Sequence, residues 1–167
     1  MNLDEFLLQA GDYGPCVGTH VGTPSPLIPP TGVELRTVEG ADTRTRGSLF
    51  DAFARAWQFP PRFIGRNNAD AFNDWMRDFD NLTNVDLTKP PALGYLTELT
   101  NAHMLLAEQA EVFSWFANSI PFYRDYYRDE LDPPAAFGLL LSAPADQLDE
   151  VRKRWLSVGI QVATVVV

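Results

Sequence analysis

The chain is predicted to be an α/β protein built around a small, mainly parallel sheet. Short segments that alternate apolar and polar residues, or that are rich in β-branched residues, are typical of strands and occur at residues 33–38, 94–99, 137–142 and 162–167. Segments with apolar residues at helical spacing lie between them. Strands that alternate with helices are joined by crossovers and therefore pair in parallel. At 167 residues, of which 46% are hydrophobic, the chain is long enough for one sizeable core.

The helices of the first half follow from caps and apolar stripes. Ser48 with Asp51 resembles a capping box, which predicts that a helix begins there and ends before Pro60. Its buried stripe would contain Phe50, Phe53, Ala54 and Trp57. A second helix is predicted over residues 68–81, and a polar, helix-sized connection over residues 83–93.

The second half is predicted to contain two longer helical segments. Residues 102–118 are expected to form a helix that Pro121 kinks or restarts, and residues 122–131 are expected to continue it. Residues 146–158 form an amphipathic helix, and Gly159 is placed where a glycine commonly ends one.

The first 32 residues are predicted to be a separate arm. Residues 4–9 could form one helical turn or a short strand, and four glycines between residues 11 and 22 interrupt regular structure. The proline-rich stretch 24–30 is typical of an extended linker. The predicted boundaries are an arm at 1–32 and one domain at 33–167, which includes a C-terminal helix–strand extension.

Charge and cysteine content limit the function classes. The net charge is −9 and the isoelectric point about 4.5, so direct nucleic-acid binding is not expected, whereas a basic protein partner is compatible. Cys16 is the only cysteine, which excludes an intramolecular disulfide and a cysteine-rich zinc site. The acidic N-terminus does not resemble a secretory signal, and no apolar run reaches the length of a membrane span, so a cytoplasmic location is expected.

Three carboxylates at intervals of four residues are the most informative feature of the chain. Asp70, Asp74 and Asp78 would form one stripe along a helix, opposite an apolar face. Like charges at this spacing are mildly unfavourable, and Arg77 could partly screen the second and third. An acidic stripe is also typical of a solvated helix face, so the surrounding residues decide between the two interpretations.

Residues 49–80 resemble the barstar family of ribonuclease inhibitors. The matching pieces are Leu49-Phe50-Asp51-Ala52-Phe53-Ala54, Phe59-Pro60, Phe63-Ile64-Gly65-Arg66-Asn67 and Asp70-Ala71-Phe72-Asn73-Asp74-Trp75-Met76-Arg77-Asp78. The resemblance implies a barstar-like three-layer arrangement, extended at both termini. It also implies inhibition of an extracellular-type, guanine-preferring ribonuclease, without any cofactor, by a monomer that binds its enzyme one-to-one.

The resemblance also implies which residues contact the partner. The contact residues it assigns lie on the loop and the acidic helix: Phe63, Gly65, Asn67, Asp70, Asn73, Asp74 and Asp78. Asp74 would be the central residue and would occupy the phosphate pocket of the enzyme. A further acidic contact on a later helix could come from Glu108 or Glu111.

This chain departs from the family pattern at two points. One residue, Asn68 or Ala69, is inserted before Asp70, and a second insertion lies near residues 63–64. The usual loop tyrosine is replaced by Arg62 or Phe63, and Phe63 is favoured because an arginine would face a basic site unfavourably.

Two other functions are compatible with the sequence. The chain could be a regulatory or immunity-type module directed at another basic nuclease or toxin. It could also be an enzyme that uses Asp70 and Asp74 as paired carboxylates, which is disfavoured because no metal-binding or histidine motif accompanies them. The only histidines, His20 and His103, lie far apart in the sequence and are expected to have packing or surface roles.

Overall fold

The computed structural model describes residues 1–79 and 92–167, so the predicted connection at 83–93 and the end of the predicted helix at 68–81 lie largely outside the described residues. Within those residues, five strands form one parallel sheet in the order β2-β3-β4-β1-β5. The strands are β1 (Val17–Val21), β2 (Val33–Glu39), β3 (Gly94–Thr100), β4 (Ala136–Ala143) and β5 (Val162–Thr164). The predicted α/β class and the predicted parallel sheet are confirmed.

The described helices lie on both faces of this sheet. They are α1 (Leu3–Ala10), α2 (Arg46–Ala56), α3 (Ala69–Met76), α4 (Phe113–Asp129) and α5 (Leu148–Leu156). Helices α2 to α5 contribute to the larger core on one face, and α1 packs on the other face in a smaller cluster with Leu96 and Leu140. The result is a three-layer arrangement.

The N-terminal segment contributes to the sheet itself, which differs from the predicted arm. Strand β1 lies between β4 and β5. A Cβ at Gly18 would come within 2.8 Å of Val165 and 3.2 Å of Phe6, so this glycine allows α1 and the chain end to approach the sheet closely. The sequence did not predict this strand, because glycines surround it and it is only five residues long.

The helix α2 positions the loop that follows it. Its N-cap is Thr45, whose hydroxyl accepts from the Ser48 amide at 3.2 Å while the Ser48 hydroxyl accepts from the Thr45 amide at 3.0 Å. The predicted capping role of Asp51 is therefore wrong, and its carboxylate is free to contact the loop. Phe50 and Phe53 of α2 are fully buried against Phe72 of α3. The centroid of the Phe72 ring lies 4.4 Å from that of Phe50 and 5.9 Å from that of Phe53.

The predicted long helical segment after β3 is shorter and later than the sequence indicates. Residues Ala102–Met104 and Ala110–Val112 form single 3₁₀ turns, and the regular helix α4 begins at Phe113 and passes through Pro121 without ending. Its buried aromatic residues, including Phe116, Tyr123 and Tyr127, extend the core beneath α2 and α3.

Candidate functional site

A loop and the short helix α3 together form the surface where the acidic residues lie. We call it the loop–helix surface and define it by Gly65, Asn67, Asp70, Asn73 and Asp74. Gly65, Asn67, Asp70 and Asp74 are exposed, and Asn73 is half-buried. The structure therefore brings together the predicted site residues of the loop and of the first two turns of the helix.

Helix α2 holds the loop at two points, one on its backbone and one on a side chain. The Asp51 carboxylate accepts a hydrogen bond from the Gly65 amide at 2.9 Å, and Arg46 Nε donates to Asn67 Oδ1 at 2.9 Å. Gly65 and Asn67 both have positive φ angles, 79° and 49°, which glycine and asparagine adopt most readily. These contacts tie the loop to a helix that is itself packed on the core.

Asn68 caps α3 just before Asp70. Its side-chain oxygen accepts from the Ala71 amide at 3.0 Å, which satisfies one of the free donors at the start of the helix. Asp70 follows in the first turn, where a carboxylate is favoured by the helix dipole.

The two helical carboxylates point away from the core because the opposite face of α3 is apolar. Phe72 and Met76 are fully buried, while the Asp74 side chain is 75% exposed. Asn73 is held from α4, since the Tyr123 hydroxyl donates to its Oδ1. The carboxylates are thus carried by a helix that is anchored on two sides.

Asp78 lies beyond the end of α3. The prediction that it shares one helical stripe with Asp70 and Asp74 is therefore wrong. Helix α3 ends at Met76. The Arg77 amide donates to the Asp74 carbonyl and the Asp78 amide to the Trp75 carbonyl, each at 3.2 Å, so the chain leaves the helix through hydrogen bonds that span three residues. Asp78 is half-buried and so differs in setting from Asp70 and Asp74.

Phe63 lies beneath the loop instead of on it. Its side chain is only 3% exposed and packs edge-on against Phe59, with ring centroids 5.2 Å apart. Because the Phe63 ring is buried in an aromatic cluster, it supports the loop from below and is not exposed to a partner. Its neighbour Arg62 is exposed.

Three arginines lie beside the loop–helix surface: Arg62, Arg66 and Arg77. The spacing of the acidic residues in the sequence did not predict that positive charges border this surface. Arg62 and Arg66 are exposed on the loop, where Arg66 Nε donates to the Arg62 carbonyl at 2.7 Å. Arg77 donates to Asp74 at 3.2 Å, which confirms the predicted screening of that carboxylate. The surface is therefore acidic on the helix and basic on the loop.

The later acidic candidates have separate partners or positions. Glu108 forms an ion pair with Arg44 at 2.8 Å, and Glu111 lies in the 3₁₀ turn before α4.

A shallow groove of about 290 Å³ lies between α3 and α4 and is lined by Asn73, Trp115 and Phe122 among others.

The described residues contain no group of three or more histidine, cysteine, aspartate or glutamate side chains placed to hold a metal ion. Among the same residues, no helix is both long and apolar enough to cross a membrane.

A parallel α/β domain whose loop–helix surface is hydrogen-bonded to α2 and carries exposed carboxylates on its helix has the features of a protein-binding module. The family model described as "Barstar (barnase inhibitor)" matches residues 33–138. This range is more than half of the chain, and the chain belongs to the barstar family. The family is one of inhibitors, so a ribonuclease-inhibitor-like or related protein-binding role follows at that level.

No curated protein matches the chain. The structure of the Aeropyrum pernix ORC2 protein, in ADPNP–ADP complexes, matches 80% of this chain with 14% sequence identity and a TM-score of 0.44. The match covers 32% of that protein, so the chain spans about a third of its length. That the sheet and helices here form the barstar arrangement in detail stays a prediction.

Proposed function

We propose that the protein inhibits a secreted-type, guanine-preferring ribonuclease by binding it one-to-one and covering its cationic active site. The observation that carries the proposal is the orientation of α3 within the family-matched range. Its apolar side is fully buried through Phe72 and Met76, and its Asp70 and Asp74 carboxylates face solvent.

The chemistry of such an inhibitor follows from what a ribonuclease must bind. Its active site holds a phosphate with cationic side chains, and a carboxylate can accept the same paired hydrogen bonds from arginine. Asp74 is the residue proposed to enter the phosphate pocket, and Asp70 and Asn73 would contact its rim. Because the loop is tied to α2 through Asp51 and Arg46, little ordering would be needed on binding, which favours affinity.

The protein would act as a monomer in the cytoplasm of the cell that makes the ribonuclease, and its target would be basic. Long-range attraction between a basic enzyme and a chain with a net charge of −9 would speed association at low salt.

The test is a titration of the full chain into a secreted guanine-preferring ribonuclease while RNA cleavage is followed. Inhibition should be stoichiometric, and Asp74→Ala should weaken it by several kcal/mol, as for an anchor in a desolvated charge pair. Asp146→Ala is the matched control, because it removes the same charge from an exposed residue outside the family-matched range. Full cleavage activity at excess inhibitor would overturn the proposal for this class of enzyme.

A second candidate is an immunity-type or regulatory module directed at another basic nuclease or toxin. The observation that favours it is the pair of exposed arginines, Arg62 and Arg66, beside the acidic helix. They would repel a uniformly cationic active site and suit a partner with both signs of charge. Unchanged activity across a panel of ribonucleases, together with capture of a different basic nuclease that Asp74→Ala abolishes, would select this candidate.

A further inference from the structure

A cavity with polar and apolar walls lies on the other side of the molecule from α2 and α3. It has a volume of about 480 Å³ and is placed near the carboxyl ends of the strands, beneath the proline-rich segment that follows β1. Its lining includes Leu27 of that segment, Leu35 and Thr37 of β2, Glu98 of β3 and Ser142 of β4. The crevice outside the carboxyl ends of parallel strands is where α/β proteins commonly bind small ligands.

A buried glutamate that lines this cavity contacts a buried histidine that is not part of the lining. His20 of β1 is 4% exposed and Glu98 is 9% exposed, and His20 Nε2 lies 3.3 Å from Glu98 Oε1. The strands that carry them are separated by β4, so the two side chains reach towards each other across it. Ser142, which is the register partner of His20, is small enough to leave room for this approach.

Packing alone does not account for this pair. Within the described part of the chain, buried His20 Nδ1 has no hydrogen-bond partner, and the 3.3 Å contact of buried His20 Nε2 with Glu98 does not have the geometry of a hydrogen bond. Buried polar atoms nearly always have such partners, and those without one commonly mark a functional position. The expected packing or surface role of His20 leaves the state of these two nitrogen atoms unexplained.

The side chains around the cavity have a clear charge preference. Glu98 supplies a carboxylate, and Thr37, Thr100 and Ser142 supply hydroxyl groups. The described lining contains no lysine or arginine, and His20, which contacts the Glu98 carboxylate, lies outside that lining. Leu27 and Leu35 provide an apolar wall next to these polar groups.

We propose that this cavity binds a small organic cation, namely an ammonium or guanidinium group on a short aliphatic chain. The cationic head would donate hydrogen bonds to the Glu98 carboxylate, and the hydroxyl groups would accept the remaining ones. The aliphatic chain would lie against Leu27 and Leu35. This site is separate from the loop–helix surface, so the proposal does not depend on ribonuclease binding.

The test is a nuclear magnetic resonance titration of the full chain at about pH 8, where alkylammonium probes remain protonated. The probes are agmatine and n-butylamine, with 1-butanol and butyrate as the neutral and anionic counterparts. Agmatine and n-butylamine should cause saturable shifts of the Thr37, Thr100 and Ser142 amides, and the two counterparts should not. Glu98→Gln should weaken binding at least about tenfold, as for loss of a charged hydrogen-bond partner.

Two further variants keep the result decisive. Glu130→Gln removes an exposed carboxylate at the end of α4 and should leave cation binding unchanged. If Glu98→Gln does not fold, Thr37→Trp places a large ring in the cavity from an exposed position and should abolish binding in a folded protein. Absence of saturable shifts, shifts confined to the α3 carboxylates, or equal response to 1-butanol would overturn the proposal and leave the cavity a water-filled space.

Discussion

Arg77 Nη2 lies 3.2 Å from Asp74 Oδ1, so the carboxylate at the centre of the proposed interface already has a cation beside it in the free protein. The guanidinium is held in this position from other directions. Its Nε donates to the Asn73 carbonyl at 3.1 Å, and it lies 5.0 Å from the ring centroids of both Phe122 and Tyr126. A basic partner must therefore compete with Arg77 for Asp74.

Replacing Arg77 should strengthen binding to a basic ribonuclease while weakening the fold. For Arg77→Gln we expect a gain of about 0.2–1 kcal/mol in binding, since an exposed ion pair is worth that much. We expect a loss of about 0.5–1 kcal/mol in the free energy of unfolding, because the cation–π contacts are removed. Calorimetric titration and urea denaturation measure the two quantities.

The control for this variant is Lys153→Gln, which removes an exposed positive charge from α5, where it pairs with Glu150. Both variants change the net charge equally, so a gain common to both would come from long-range attraction. Weaker binding of Arg77→Gln would mean that Arg77 contacts the partner directly.

The cap of α3 should determine how well the acidic residues are presented. Asn68→Ala removes the acceptor for the Ala71 amide and should cost about 0.5–2 kcal/mol in the free energy of unfolding. Asn68→Asp should retain most of the stability, because aspartate caps helices about as well as asparagine. Urea denaturation of the three proteins checks this order, and an Asp variant no more stable than the Ala variant would contradict it.

Two tyrosines of α4 hold α3 from below, and their hydroxyl groups should differ in importance. The Tyr127 hydroxyl donates to the Met76 carbonyl at 2.7 Å inside the core, and the Tyr123 hydroxyl donates to Asn73 at a half-buried position. Burial raises the pKa of both hydroxyl groups, so they remain protonated donors at neutral pH.

Tyr127→Phe should therefore be the more costly of the two substitutions. It leaves a buried carbonyl without its donor and should lower the free energy of unfolding by about 1–3 kcal/mol. Tyr123→Phe frees a side chain that can reach water and should cost about 0.5–1.5 kcal/mol. Thermal denaturation of the two matched variants gives the order, and equal losses would argue against the difference in burial.

The parts of the fold that the sequence could predict are those with strong local patterns. Strands β2, β3 and β4 were predicted within one or two residues at each end, because apolar or alternating residues mark them. Strand β1 was not predicted, because it is defined by pairing with β4 and β5, which are distant in the sequence, and no local pattern indicates that pairing. The family resemblance predicted Asp70 and Asp74 together because they lie on one short helix.

The parts of the site that the sequence could not predict depend on contacts between distant residues. Arg46 and Asn67 are 21 residues apart, and His20 and Glu98 belong to strands that are not even neighbours in the sheet. Phe63 was expected on the surface because motif position was its only guide, whereas the aromatic cluster around it decides its placement.

The buried thiol of Cys16 should make the protein less stable as the pH becomes alkaline. Burial raises its pKa from 9.0 to about 11, and nearby Arg124 only partly opposes this. Between these two values the folded state keeps the proton while the unfolded chain loses it. The unfolded state then binds fewer protons, so the free energy of unfolding is unaffected below pH 9.0 and falls as the pH rises towards about 11.

The size of this effect can be isolated with one variant. At about 1.4 kcal/mol for each pH unit, the thiol accounts for a loss of roughly 2–3 kcal/mol across the interval. Tyr95, Tyr123 and Tyr127 also have pKa values raised by burial and add to the alkaline loss in the wild type and in Cys16→Ala alike. Urea denaturation of both proteins at intervals from about pH 8 to about pH 11 should therefore show a steeper decline for the wild type. Parallel curves would mean that the thiol ionises in the folded state as readily as in the unfolded chain.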